Sequence, residues 1–116
     1  MTGKEFLEQY AIIDRKIKAK KIQIDSYDTN LDKYIFVPEI ALFTDELKDL
    51  VAKSIQVKKD ILDKIQLIDN TERRQILIKK YIELKRTTQI AREMFMTYQG
   101  VYYHLNIGEK EIEKFI

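Results

Sequence analysis

The chain contains no cysteine, one histidine, one proline and three glycines in 116 residues. Without cysteine there is no disulfide framework, no Cys-based zinc site and no thiol nucleophile. A Ser-His relay could form only around His104, and with no second His to join it, His104 reads as a partly buried packing residue. No glycine-rich phosphate loop occurs, so nucleotide hydrolysis has no support. So little turn material disfavours an all-β barrel or sandwich and favours long helices. The longest apolar run, Tyr34 to Pro38, falls far short of the roughly 20 residues of a membrane helix, and the charged opening Met1 to Glu8 lacks a signal-peptide core. The expectation is a non-enzymatic, cytoplasmic protein with no cofactor, no metal and no membrane partner.

The chain has ample material for a core, at 45% hydrophobic and 34% charged residues, and its length suits one small domain or a short module on a helical extension. Lys and Arg number 21 against 19 Asp and Glu, too even a balance to name a partner. Its distribution says more: residues 71–116 carry nine basic and six acidic side chains, whereas 1–70 carry twelve and thirteen.

Phe6, Tyr10, Ile13, Ile17 and Ile24 recur in steps of three and four, with Lys20 filling the missing place, which predicts one amphipathic helix. Thr2 and Glu5 have the spacing of a capping box at its start. It should end near Asp25 to Asn30, where short polar side chains compete for backbone hydrogen bonds. Pro38 biases Val37 away from helical geometry and suits the first turn of a second helix. That helix carries the cleanest stripe: Ile40, Phe43, Leu47, Leu50, Ser54, Val57, Ile61, Lys64 and Ile68, with Val51, Leu62 and Ile65 widening the face. Such a rod must bury its stripe on the first helix or on a second copy of the chain in a homodimer. Ser54 and Lys64 are polar interruptions that could set its register. Asp45, Glu46 and Asp49, placed at its opening turns, complement the helix dipole. Arg15, Lys16, Lys18, Lys20 and Lys21 read first as a solvated face, and second as an auxiliary contact for nucleic acid or an acidic partner.

A third helix is expected from about Thr71 to Leu84, burying Ile76, Leu77, Tyr81 and Leu84. The segment from Ile78 to Leu105 then has the spacing of a helix-turn-helix: Ala91 as the small residue at the crossing, Phe95 to Thr97 as the turn, and Val101 as the inward anchor. Thr97 is the expected N-cap of the last helix. The competing reading is an ordinary three-helix bundle. The fold class is therefore all-α, with an N-terminal helical hairpin or coiled coil over 1–69 and a helix-turn-helix unit over 70–116.

Three runs, Arg74-Gln75-Ile76-Leu77-Ile78-Lys79-Lys80-Tyr81-Ile82-Glu83, Gln89-Ile90-Ala91-Arg92-Glu93-Met94 and Val101-Tyr102-Tyr103-His104-Leu105, resemble region 4 of sigma-70-type factors. They are similar in particular to the phage-encoded sigma-region-4-like proteins, including late-gene regulators of the ArpU and RinA type. The opening Met1 to Leu7 and Ile13-Asp14 also look like that group. The departures are Phe95 where the family has a turn glycine, Lys79-Lys80-Tyr81 in place of a Leu-Arg-Tyr pattern, and His104 at a position usually apolar. The resemblance implies a phage or mobile-element transcription regulator in a bacterial host cell, bound to double-stranded DNA and acting beside RNA polymerase. It makes Thr97 to Asn106 the recognition helix, with Tyr98, Gln99, Tyr102, Tyr103 and Asn106 facing outward. Gln99 and Asn106 would read adenine edges. Lys79, Lys80, Lys85, Arg86 and Arg92 would contact phosphates, because the recognition helix has no Arg or Lys of its own. Three tyrosines on one helix also suit a protein surface. The alternative is therefore a small phage-encoded inhibitor that blocks a host nuclease or polymerase.

Overall fold

The computed structural model describes the backbone of residues 1–28 and 33–116 and the side chains of 1–26 and 41–116. Among the described residues the chain is all-helical: α1 Gly3–Asp28, α2 Lys33–Ile65, α3 Thr71–Tyr81, α4 Thr87–Glu93 and α5 Tyr98–Glu113. No helix among them is long and apolar enough to cross a membrane. Packing divides the chain into two compact units, Met1–Ala11 with Val57–Ile116, and Ile12–Gln56. The first unit thus extends across residues 69 and 70, taking in the start of α1 and the end of α2.

In the first unit, α1 begins with the expected capping box. The Glu5 N–H donates to Thr2 Oγ1 and the Thr2 N–H donates to Glu5 Oε1, both at 3.1 Å. The Thr2 N–H holds the Glu5 carboxyl below the usual carboxylate range. Leu7 from α1, Ile61 and Ile65 from α2 and Ile68 just beyond it meet Ile76, Leu77, Tyr81, Ile90, Val101, Leu105 and Ile112 in one buried cluster. Fully burying an aliphatic side chain of this kind is worth about 1.5–3 kcal/mol. The stripe of α2 therefore does reach a core, but through Ile61 and Ile65. Ile68 is buried after the helix has stopped.

Two glycines set how closely the helices approach. A Cβ on Gly3 would lie 1.9 Å from the Glu109 carbonyl oxygen, so the first turn of α1 sits directly on the backbone of α5. A Cβ on Gly108 would lie 2.8 Å from Leu77 Cδ1, where α5 crosses α3. Around these contacts the Tyr81 hydroxyl donates to Glu109, and Arg73 pairs with Glu111. Burial, reinforced by Glu109, pushes the Tyr81 phenol well above its ordinary pKa.

The sequence places Leu84 in the core at the end of a third helix, and here the structure differs. α3 stops at Tyr81 because its last turn widens: the Glu83 N–H donates to the Ile78 carbonyl and the Lys85 N–H to the Lys79 carbonyl. Leu84 takes a left-handed φ of 58° and is 38% exposed. A residue leaving the helix in that hand cannot continue its buried face. At the other end, Asn70 caps α3 by accepting from the Arg73 N–H at 2.9 Å.

In the second unit, Lys20 takes the apolar place in the α1 stripe by pairing with Glu46 at 2.6 Å and lying 4.6 Å over the Phe43 ring. Glu46 and its neighbours Asp45 and Asp49 stand well inside α2, because the helix starts at Lys33 and not at Pro38. Their role is accordingly not that of first-turn carboxylates. Ser54 donates to the Val51 carbonyl at 2.7 Å, a local bond in which it meets its own hydrogen-bonding need. Leu47 and Leu50 are half-buried, while Val51 and Ile55 are exposed. The stripe position Ile40 and the Val37 and Pro38 side chains lie outside the described residues.

The glycine contacts order two substitutions. Gly3→Ala must push α1 off a backbone carbonyl and should cost about 1–3 kcal/mol, the usual range for overpacking. Gly108→Ala meets only the movable end of Leu77 and should cost less. Urea unfolding of both variants checks this, and an equal or reversed order contradicts the close approach of α1 to α5.

Candidate nucleic-acid interface

The residues implied as functional lie on α3 (Lys79, Lys80), the α3–α4 connection (Lys85, Arg86), α4 (Arg92) and α5 (Tyr98, Gln99, Tyr102, Tyr103, Asn106). α4 is short, and Thr87 and Ile90 are buried on its inner side. It ends in a left-handed cap: the Met96 N–H donates to the Ala91 carbonyl at 3.0 Å and the Phe95 N–H to the Arg92 carbonyl at 3.3 Å. These two bonds satisfy helix-end carbonyls and require the residue between them to be left-handed, a role glycine fills most easily. Phe95 fills it here with φ 53°. Its ring gains nothing in exchange, being 96% exposed. Thr97 then caps α5, its hydroxyl accepting from the Gly100 N–H at 3.0 Å.

α5 has two faces. Val101, Leu105, Gly108 and Ile112 are buried, and Tyr98, Gln99, Tyr102, Tyr103 and Asn106 are all exposed. The implied outward set is therefore outward. The Tyr98 hydroxyl donates to that of Tyr102 at 3.1 Å, and their rings meet edge to face with centroids 4.8 Å apart. That hydrogen bond keeps the Tyr98 proton in place and raises its pKa. Tyr103 packs edge-on against His104 at 5.5 Å. His104 is half-buried and its Nδ1 is enclosed without a hydrogen-bond partner. The Gln99 and Asn106 amides make no hydrogen bond with the described residues.

The implied cations divide into two groups. Lys79 and Lys85 both bind the Glu93 carboxylate, at 2.7 and 2.8 Å, and Lys85 also reaches Glu83 at 2.9 Å. Lys80 lies 3.4 Å from the Thr87 hydroxyl. Arg86 and Arg92 are exposed and form no ion pair among the described residues. Of the five cations, these two guanidinium groups are the most available to an anion. Sequence reasoning missed the Glu93 clamp. Its signal is indirect, since only the turn after α3 brings residues 79 and 85 to one carboxylate on α4.

Comparison of the chain with family models, with curated proteins and with solved structures finds no match.

Two measurements test this local structure. Lys79, then Lys85, hydrogen-bonds the Glu93 carboxylate and lowers its pKa from 4.5 to about 2. A carboxyl depressed by folding stabilises the fold above its unfolded pKa, and that contribution disappears as the pH falls through the folded one. Wild type should therefore lose more stability than Glu93→Gln between about pH 5 and pH 2, as read by denaturation midpoints. Parallel curves contradict the clamp. Separately, a left-handed backbone costs a non-glycine residue about 1–2 kcal/mol, part of which glycine forfeits through its freer unfolded chain. Phe95→Gly should raise stability by a few tenths to about 1 kcal/mol, and a loss of stability contradicts the turn described.

Proposed function

We propose that α4, the Phe95 turn and α5 act as a helix-turn-helix that sets the outward face of α5 in the major groove of double-stranded DNA. On this reading the protein is a phage or mobile-element transcription regulator of the sigma-region-4-like kind, working beside RNA polymerase and without catalysis. The observation that carries the reading is the left-handed turn at Phe95. It is kept at a local energetic cost, and it joins a short helix to a long one whose inner face is buried and whose outer amides are free. Recognition helices need this arrangement, because their outward side chains must meet base edges while the inward ones fix the docking angle. Arg86 and Arg92 supply sequence-independent attraction to phosphates.

Two observations favour a second reading, a small inhibitor that blocks a host nuclease or polymerase. Glu93 and Glu83 already pair with Lys79 and Lys85, and the almost wholly exposed Phe95 ring, three residues before Tyr98, suits an aromatic anchor in a protein interface.

A gel-shift titration over several salt concentrations separates the two. As a DNA regulator the protein binds duplex with an affinity that falls with salt, and Arg92→Ala weakens binding to any duplex and lowers the salt slope by about 1. Gln99→Ala costs about 1–3 kcal/mol at a preferred site and little elsewhere. Absence of duplex binding, together with capture of a purified nuclease or polymerase that Tyr102→Ala abolishes, overturns the regulator in favour of the inhibitor.

A further inference from the structure

The outward face of α5 is unusual in what it omits. Between Tyr98 and Asn106 it carries no Arg or Lys, the side chains that pair bidentately with guanine O6 and N7. It carries no Asp or Glu to accept from cytosine N4. It offers two amides, Gln99 and Asn106, whose natural bidentate partner is adenine N6 and N7, and aromatic surface from Tyr98, Tyr102, Tyr103 and the nearby Phe95, which suits the thymine methyl group.

The spacing sharpens the point. Gln99 and Asn106 are seven residues apart, so on a helix of 3.6 residues per turn they point within about 20° of each other and stand about 10.5 Å apart along the axis. That span is about three base-pair steps of 3.4 Å. Both residues are exposed, and neither amide has a partner among the described residues. Phe95 precedes Tyr98 by three residues and is almost wholly solvent-facing.

We infer that α5 is a reader of A·T base pairs in the major groove, with Gln99 and Asn106 each taking an adenine about three steps apart and the aromatic side chains meeting thymine methyls. The inference rests on the helix-turn-helix reading and adds the class of DNA to it.

The test begins with selection of bound duplexes from a pool of randomised 20-base-pair DNA and continues with base analogues in the recovered site. An inosine·cytosine pair keeps the G·C pattern in the major groove and the A·T pattern in the minor groove, and a diaminopurine·thymine pair does the reverse. The recovered site should be A·T-rich with two adenines three steps apart. Diaminopurine should preserve binding, and inosine should reduce it by about 5- to 150-fold per contacted pair. Uracil in place of a contacted thymine should weaken binding about fourfold, the worth of one buried methyl. Gln99→Ala and Asn106→Ala, both on the exposed face and checked by circular dichroism, should each remove the preference at one adenine.

A G·C-centred site, retained binding of the inosine duplex, or duplex binding without preference overturns the A·T reader and leaves the helix-turn-helix reading standing. Recovery of no duplex at any salt overturns both.

Discussion

The rotation of α5 about its own axis is the constraint on which the other features depend. Four contacts within its packing unit fix it. Gly3 sits on the Glu109 carbonyl, Gly108 admits Leu77, and Tyr81 and Arg73 hold Glu109 and Glu111. Val101, Leu105 and Ile112 are buried in the shared core. With α5 held on this side, residues 98, 99, 102, 103 and 106 lie on its exposed face. A helix free to rotate by one residue, about 100°, would carry Gln99 toward the core and bring Gly100 outward. The outer surface is thus decided from the inside.

Charge follows the same logic. The α3–α4 connection folds back through the widened turn at Leu84 and brings Lys79 and Lys85 to a single carboxylate on α4. Partly exposed ion pairs contribute little to stability, so the larger consequence is for what the surface offers. Two of the five cations implied as phosphate contacts are already held by carboxylates, Lys80 reaches the Thr87 hydroxyl, and Arg86 and Arg92 form no ion pair among the described residues. A guanidinium also suits a phosphate better than an ammonium does, since it presents paired donors in one plane.

Much of this was legible in the sequence wherever the physics is local. Thr2 with Glu5, and Thr97 before α5, marked helix starts because capping depends on residues three apart. The periodic positions Leu77, Tyr81, Val101 and Leu105 marked inner faces because burial follows the 3.6-residue repeat. What escaped was set by contacts distant in sequence. Nothing local says that Gly3 must lie against residue 109. Leu84 looked like the next step of a buried stripe, and only the left-handed turn takes it out. Glu93 had no marked role in the sequence, and the fold brings two lysines to it. The outward set on α5 was readable as a face, whereas its freedom from internal hydrogen bonds was not. The extent of the first packing unit, which draws together 1–11 and 57–116, likewise depends on tertiary contact and leaves no mark in composition.

On the proposed reading, one face of α5 meets DNA while the other holds the core. Amide chemical-shift mapping during titration with a 20-base-pair duplex tests it most directly, because it reports every residue at once. Shifts should concentrate on Arg92 through Asn106, with Leu105 and Ile112 moving little and the basic stretch from Arg15 to Lys21 responding weakly. Shifts centred on Arg15 to Lys21 with α5 silent, or no shifts at any duplex concentration, would contradict it.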